Sequence, residues 1–395
     1  MAALRDESLR LLYLAPERLQ GEATQRLLET HAAEGRLVAL AVDEAHCISA
    51  WGHDFRPDYR RLGLIRRLCP GVPMLALSAT AAPRVRADIL RLLDLRSPLV
   101  QVSSARRENL RYAMQRRPRD PMPQVLEALE QSRGATLIYA RTRRSVEHWA
   151  ERLQGESVEA TPYHAGLDPA TRQTALTQFL EQERPVLVAT VAFGMGVDRG
   201  DVGLVLHLDL PSTPEGYLQE SGRAGRDGQP ARCLVLFSPG DRTSLGWAMQ
   251  AAAGQGTTPD ERHRLDLAQQ QLRRMEAVAE GEMCREQALL LAVGELVDPC
   301  GRCDRCSASP KRKDWSRQAT TLLTHLDDLD GTDMRRLGEH LALHETGQGE
   351  RWTWLARRLV QEELIRESND GVQRLQLRDS GRRYLERPWP LDFAA

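Results

Sequence analysis

Leu37-Val-Ala-Leu-Ala-Val-Asp-Glu-Ala-His46 is a short apolar run that ends abruptly in two carboxylates. A run of this length bounded by polar residues reads as a strand covered on both faces, and such strands belong to parallel sheets flanked by helices. The neighbouring sequence repeats the theme. Leu11–Leu14 and Met74–Leu77 are further short apolar runs, and Tyr59–Leu68 and Pro83–Leu93 read as helices. The pattern restarts near Arg107, where Ala135–Tyr139, Val186–Thr190, Gly203–Leu208 and Arg232–Phe237 read as strands and Ser145–Leu153 as a helix. The fold class is therefore α/β, with two parallel-sheet units in series.

The rest of the chain bounds what these units can do. At 395 residues there is room for two to four domains, taking roughly 150 residues each. A hydrophobic share of 41% and a charged share of 28% fit an ordinary globular protein. The net charge of −1 excludes a globally basic nucleic-acid binder, so any DNA contact must come from local arginine clusters. Nearly all basic residues are arginine, the only lysines being Lys311 and Lys313. No apolar run approaches the ~20 residues that span a bilayer, so no membrane partner is expected. The opening Met-Ala-Ala-Leu-Arg-Asp-Glu7 lacks the apolar stretch of a signal peptide, and a cytoplasmic location is the expectation.

From about residue 258 the texture turns helical, with Arg262–Ala279 and Cys284–Leu296 as helices. Ser307–Lys313 reads as a linker, and the last 80 or so residues as helices followed by two short strands around Asn369-Asp370-Gly371, an order that suggests a winged helix. The expected boundaries are 1–103 and 104–241 for the two α/β domains, 242–310 for a helical cysteine-bearing subdomain, and 311–395 for the tail. The tail holds 15 basic and 15 acidic residues, which argues against strong duplex binding on its own.

Three short motifs carry chemistry. Val42-Asp-Glu-Ala-His46 ends an apolar strand, where parallel sheets bind ligands; in nucleotide hydrolases carboxylates there hold Mg²⁺ and polarise the attacking water. The same residues could equally open a helix, whose first turn favours acids. Leu77-Ser-Ala-Thr80 sits at a second strand end and by itself reads as a helix cap. Gln219-Glu-Ser-Gly-Arg-Ala-Gly-Arg-Asp-Gly228 sets two arginines three apart among small residues. Guanidinium groups are planar, permanently charged donors suited to a transferring phosphoryl group.

In this order the motifs resemble those of superfamily-two helicases. Tyr13-Leu-Ala-Pro-Glu-Arg-Leu19, Cys47-Ile-Ser-Ala-Trp-Gly-His-Asp-Phe-Arg-Pro-Asp-Tyr59 and Ala192-Phe-Gly-Met-Gly-Val-Asp198 narrow the resemblance to the RecQ family, densely over about residues 10–310. That resemblance implies two RecA-like domains, the first incomplete, and an ATP-dependent 3′-to-5′ DNA helicase acting in recombination and repair. It implies that Asp43 holds Mg²⁺, that Glu44 orients the water, and that His46, Ser78 and Thr80 couple the nucleotide to DNA. Trp51, Phe55 and Arg56 match the family's aromatic-rich loop, which senses single-stranded DNA. Stacking of bases on aromatic faces suits that role, and the polar residues around Trp51 and Phe55 argue against burial of the whole segment. His164 within Tyr163-His-Ala-Gly-Leu167, with Thr190, Gly194, Gly196 and Asp198, matches motifs that touch DNA and link it to ATP. Gln219 belongs to the arginine motif; Arg223 and Arg226 would reach the γ-phosphate, Arg226 as the arginine finger. Arg199-Gly200 departs from the family, which has a basic residue followed by proline, and a small effect on backbone rigidity is expected.

Cys284-x15-Cys300-x2-Cys303-x2-Cys306 offers four thiolates, the ligand set of a closed tetrahedral zinc site. Iron–sulfur ligation stays open on chemistry alone; the resemblance favours Zn²⁺, placed between the motor and a winged helix that pries duplexes open. Cys47, Cys69 and Cys233 read as buried small hydrophobes.

One expected element is not in the sequence. No Gly-x-x-x-x-Gly-Lys-[Ser/Thr] occurs, and both lysines lie beyond the clustered cysteines, so no lysine can reach the β- and γ-phosphates. The family places that loop upstream of the first residue here. The expectation is a late-started or truncated helicase, inactive as an ATPase in these 395 residues, with residues 1–100 the least stable part because strands lack neighbours. The competing expectation is a non-enzymatic, zinc-containing fragment that binds DNA or a protein partner. An RNA helicase of the same superfamily is disfavoured by the cysteines and the aromatic-rich loop.

Overall fold

A computed structural model describes residues 9–52, 54–194, 197–252, 258–308, 312–329, 331–344, 349–368 and 374–394. The chain divides into two compact units, residues 1–105 with 292–295, and residues 106–291 with 296–395.

The first unit holds a two-stranded parallel sheet, β1 (Leu40–Val42) beside β2 (Met74–Ala76). Helices α1 (Glu22–Ala33), α2 (Gly63–Leu68) and α3 (Pro83–Leu92) belong to the same unit. Proline at the start of α3 suits a position whose N–H has no helical partner. Leu28, Val42, Ile48, Ile65 and Ile89 form its core. Leu11–Leu14, expected as a strand, has no regular structure, and Leu11 and Tyr13 are exposed. A strand exists only through its neighbours, and among the described residues this run pairs with none. Val38, Leu75 and Leu77 are likewise exposed along the small sheet.

The second unit is built on six parallel strands: β3 (Leu110–Arg116), β4 (Ala135–Tyr139), β5 (Ala160–Tyr163), β6 (Val186–Ala189), β7 (Val202–His207) and β8 (Ala231–Phe237). Their spatial order is β3-β8-β7-β4-β6-β5. Every residue of the central β4 and β7 is buried, which explains why both read as unbroken apolar runs. β5 was not legible as a strand, because Thr161-Pro-Tyr163 interrupts the apolar pattern on the sheet's edge. Helices α4 (Met122–Glu130), α5 (Arg143–Gly155), α6 (Pro169–Glu181) and α7 (Pro214–Ser221) connect the strands. Thr142, Asp168 and Thr213 cap the last three through side-chain oxygens.

Beyond the sheet come α8 (Pro239–Ala252), the long α9 (Pro259–Glu280) and α10 (Arg285–Ala292). A capping box between Thr258 and Glu261 starts α9. After one short turn of helix at Asp304–Ser307, the tail packs α12 (Ser316–Asp328), α13 (Met334–His344), α14 (Gly349–Gln361) and α15 (Asp379–Glu386), with that turn counted as α11. β10 (Thr332–Asp333), β12 (Arg374–Leu377) and β11 (Ile365–Glu367) form a three-stranded antiparallel sheet in that spatial order. β9 (Arg312–Asp314) pairs with β13 (Asp392–Ala394). The expected turn at Asn369–Gly371 lies outside the described residues. No described helix is long and apolar enough to cross a membrane.

Candidate functional site

In the first unit the two acidic and hydroxylic motifs meet at the carboxyl ends of β1 and β2. Leu77 donates its N–H to Val42, and Ala45 donates back to Leu77, at 2.9 and 2.8 Å. This zips the two loops together past the strands. Glu44 has a left-handed backbone (φ 48°, ψ 42°), an uncommon state for a residue with a Cβ that concentrates at functional sites. Its N–H is met by Asp43 Oδ1 at 2.8 Å. His46 is buried, with Nδ1 3.0 Å from Ser78 Oγ and 3.2 Å from Glu44 Oε2. Ser78 Oγ in turn donates to the Thr80 carbonyl at 3.0 Å. Because Ser78 uses its proton on Thr80, His46 Nδ1 is the donor in that pair, and the imidazole links Glu44 to the Ser-Ala-Thr loop. The Thr80 hydroxyl is buried without a hydrogen-bond partner among the described residues.

The aromatic-rich loop follows directly. Trp51 and Phe55 are both half-buried, each with a guanidinium over its ring: Arg84 at 3.1 Å from the Trp51 centroid and Arg60 at 5.0 Å from that of Phe55. Arg56 forks onto Asp54 at 3.0 and 2.6 Å. Ser49 Oγ, bonded to Asp88 at 2.7 Å, accepts the Trp51 N–H. Burial, reinforced by the charge of Asp54, pushes the Cys47 thiol up to about 12. Cys69 and Cys233 are buried as well, in keeping with small hydrophobes. His53 lies outside the described residues.

In the second unit the arginine motif and the loop after β6 grip each other. Arg223 Nη1 bonds the Gly194 carbonyl. Gly194 has φ +130°, and a Cβ there would stand 2.1 Å from Arg223 Cζ, so a bare backbone is required for this approach. Arg226 reaches Asp198 Oδ1 at 2.7 Å and the Val197 carbonyl at 3.2 Å. Gln219 is half-buried on α7, one turn before Arg223. Thr190 follows β6, its N–H 3.3 Å from the Tyr163 carbonyl and its own carbonyl accepting from Phe193 at 2.9 Å. His164 is buried, pairing through Nε2 with Glu147 at 3.0 Å while Nδ1 accepts the Gly166 N–H. Gly196 lies outside the described residues. Arg199, where proline does not follow, fastens the loop by itself: it forks onto Asp201 at 2.6 and 2.9 Å and also bonds the Phe179 carbonyl.

Several participants carried no sequence signal. His207 on β7 pairs with Glu220 on α7 at 2.7 Å and stacks on Tyr139, whose hydroxyl donates to the Phe193 carbonyl. Arg107 and Asn109 bond the carbonyls of the arginine turn. Only proximity in the fold identifies these residues.

The clustered cysteines converge. Sγ atoms of Cys284, Cys300, Cys303 and Cys306 all lie within 4.8 Å of one another, with Cys284 and Cys303 3.9 Å apart. A tetrahedron of thiolates with bonds of ~2.3 Å to zinc has sulfurs about 3.8 Å apart, so the residues fit the metal. Backbone N–H groups of Cys300, Cys303 and Cys306 point at the sulfurs of Cys284, Cys300 and Cys303 at 3.2–3.4 Å. Burial raises the Cys284 thiol, but the N–H groups of Cys300 and Gln287 prevail and hold it below its ordinary value, whereas burial keeps the Cys300 and Cys306 thiols above theirs. Buried Arg285 clasps Asp304 at 2.9 and 3.2 Å, tying the loop to its helix.

Two family models match the chain, "Helicase conserved C-terminal domain" over residues 120–228 and "RecQ zinc-binding" over residues 239–307. The chain is 37% identical over 308 residues to the ATP-dependent DNA helicase RecQ of Haemophilus influenzae, covering 78% of this chain and 48% of that protein. It is 36% identical over 343 residues to the same-named protein of Pasteurella multocida, covering 86% and 51%. To the RecQ-like DNA helicase BLM of Xenopus laevis it is 39% identical over 300 residues, covering 74% and 21%. The chain thus spans about half the length of the bacterial relatives it matches. With a RecQ-type zinc module directly after a helicase C-terminal domain, and this identity running through both, the chain is similar to RecQ-family proteins over most of its own length.

Proposed function

We propose that this chain carries the nucleotide-responsive and DNA-contacting parts of an ATP-dependent DNA helicase. The observation that carries the reading is the contact set at the ends of β1 and β2, where His46 Nδ1 lies 3.2 Å from Glu44 Oε2 and 3.0 Å from Ser78 Oγ. In this reading Asp43 ligates the Mg²⁺ of ATP, and Glu44 takes the proton of the attacking water. Arg223 and Arg226 leave their carbonyl and Asp198 partners to neutralise charge on the γ-phosphate. Removing such an arginine costs about 10³–10⁵ in rate in related chemistry. His46 transmits the change to the Ser78–Thr80 loop, while Trp51, Phe55, Arg56, His164 and Thr190 contact single-stranded DNA. Bound zinc supplies structural closure of the 284–306 loop. We read residues 311–395 as a winged helix. A groove of about 1050 Å³, lined by Arg273, Arg274, Arg366 and Arg378 but also by Glu276, Glu363, Glu367 and Asp379, would take DNA phosphates only at its arginines.

A second reading is a non-enzymatic zinc-containing DNA- or partner-binding chain. The test has two arms. These 395 residues should bind single-stranded DNA in preference to RNA of the same length, and should not turn over ATP. The coding sequence directly upstream should encode an in-frame glycine-lysine-threonine or glycine-lysine-serine loop, and the product including it should hydrolyse ATP with DNA present and lose that in Glu44→Gln. An upstream sequence without the loop leaves the non-enzymatic reading standing. DNA-stimulated, Glu44-dependent turnover by the 395 residues alone would refute the loop argument.

A further inference from the structure

The turn that carries Arg223 and Arg226 is held by a residue outside every motif. Gly222, Ala224 and Gly225 follow the end of α7, where helix carbonyls lack intrahelical donors and the dipole is negative. Arg107 supplies the donors, its guanidinium lying 3.5, 3.3 and 2.7 Å from those three carbonyls. Asn109 Nδ2 adds bonds to the carbonyls of Gly225 and Gln229 at 2.7 and 2.8 Å. Gly225 itself has φ +55°, and a Cβ there would sit 2.5 Å from Asn109 Nδ2. The turn is thus clamped from the segment just before β3.

That segment is clamped in turn from the cysteine loop. Arg302, between Cys300 and Cys303, donates Nη2 to the Arg107 carbonyl and Nε to the Leu110 carbonyl, both at 3.1 Å. Its Nη2 also pairs with buried Glu286, which faces Arg106 at 3.4 Å. The Arg302 N–H points at Cys300 Sγ at 3.5 Å. Two residues further on, Asp304 accepts the Met114 N–H of β3 at 3.0 Å. Each link is a direct bond: cysteine loop to Arg302, Arg302 to the Arg107 backbone, Arg107 side chain to the arginine turn.

We propose that Arg107 is a positioning residue for Arg223 and Arg226, and that Arg302 couples its placement to zinc in the four-cysteine site. Arginine is required at 107 because a planar fork serves several carbonyls at once, whereas an ammonium is a point donor. The consequence for chemistry rests on the phosphate-binding reading of Arg223 and Arg226; the mechanical coupling does not.

Hydrogen exchange on the 395-residue protein separates the two, since it needs no nucleotide. The readout is the amides of Gly225, Asp227 and Gly228, which donate to the carbonyls of Val202, Gly200 and Gly225 in turn, with β4 and the later residues of β7 as internal controls of folding. Arg107→Lys should speed these turn amides roughly tenfold or more, as expected on loss of bonds from a charged donor, while metal analysis finds zinc retained. Arg302→Gln should do the same, again with zinc bound. Stripping zinc with a chelator should loosen the turn in the wild type and add nothing there in Arg302→Gln, because the link is already cut. Should Arg302→Gln lose protection in β4 and β7 as well, Arg302→Lys is read instead. Unchanged turn exchange in Arg107→Lys overturns the positioning role. An equal effect of zinc removal in wild type and the Arg302 variant overturns the coupling. Failure of the upstream-loop ATPase test touches neither result.

Discussion

Arg242 on α8 joins three parts of the second unit. Its Nη1 is 2.8 Å from Glu276 on α9, and its Nη2 pairs with Glu367 on β11. All three groups are buried. Desolvation opposes the charge on Arg242, yet Glu276 and Glu367 outweigh it and hold the guanidinium above its ordinary value. Arg242→Met keeps most of the side-chain volume and removes the direct partner of two buried carboxylates, which retain only the charges of Arg273 and Arg357 nearby. Breaking a buried pair this way costs about 3–5 kcal/mol, whereas replacing all members with apolar residues is often neutral. Arg242→Met should therefore destabilise the α9–tail packing by roughly that amount, and adding Glu276→Met and Glu367→Met should recover most of it. The sign with pH follows from Glu276, whose carboxyl is held above its usual range chiefly by burial. A raised native pKa means the folded chain binds the proton more readily than the unfolded one, so stability rises as pH falls. The loss in Arg242→Met should shrink on going from about pH 8 to about pH 5, as Glu276 takes up a proton. Denaturant titration followed by tryptophan fluorescence reads this out, since Trp315 and Trp352 are buried in the tail core. A cost under about 1 kcal/mol, or one that grows on acidification, would refute the argument that these charges depend on one another.

Three further outcomes are expected. Zinc affinity, measured by competition with a chromogenic chelator, should fall roughly tenfold or more for each pH unit of acidification below neutrality, because four thiols must lose protons to bind; occupancy indifferent to pH would remove the four-cysteine site from consideration. Trp51→Ala should weaken binding of a fluorescent oligothymidine by about 1–3 kcal/mol at fixed salt, the value of a stacked base, and an unchanged affinity would mean that the ring, already covered on one face by Arg84, serves packing only. Amides of β1 and β2 should exchange faster than those of β4 and β7, since among the described residues each of the former has a single strand neighbour and the latter are flanked on both sides; equal protection would contradict the reading of the first unit as the weaker one.

What was legible in this sequence is what chemistry forces into a short span. A strand that must be apolar on both faces announces itself, and β4 came out at Ala135–Tyr139 as expected. Four thiols needed around one ion must recur at close intervals, so the cysteine site was readable before any sulfur was placed. Asp43, Glu44 and Ser78 stood out as acids and a hydroxyl at the ends of apolar runs, a pattern that a helix start shares, and only the fold brings Ser78 to His46. Leu11–Leu14 shows the limit of that logic, because apolarity makes a strand possible and only a neighbouring strand makes it one. Arg107 shows the other limit. It is one of many arginines in the chain, and its partners, Gly222 to Gly225, offer only backbone carbonyls. A carbonyl has no residue type, so the sequence holds no complement to Arg107 from which the bond could be inferred. The groups that present Arg223 and Arg226 are therefore invisible at the level where the arginines themselves are plain, and their contribution must be sought in exchange rates at the turn.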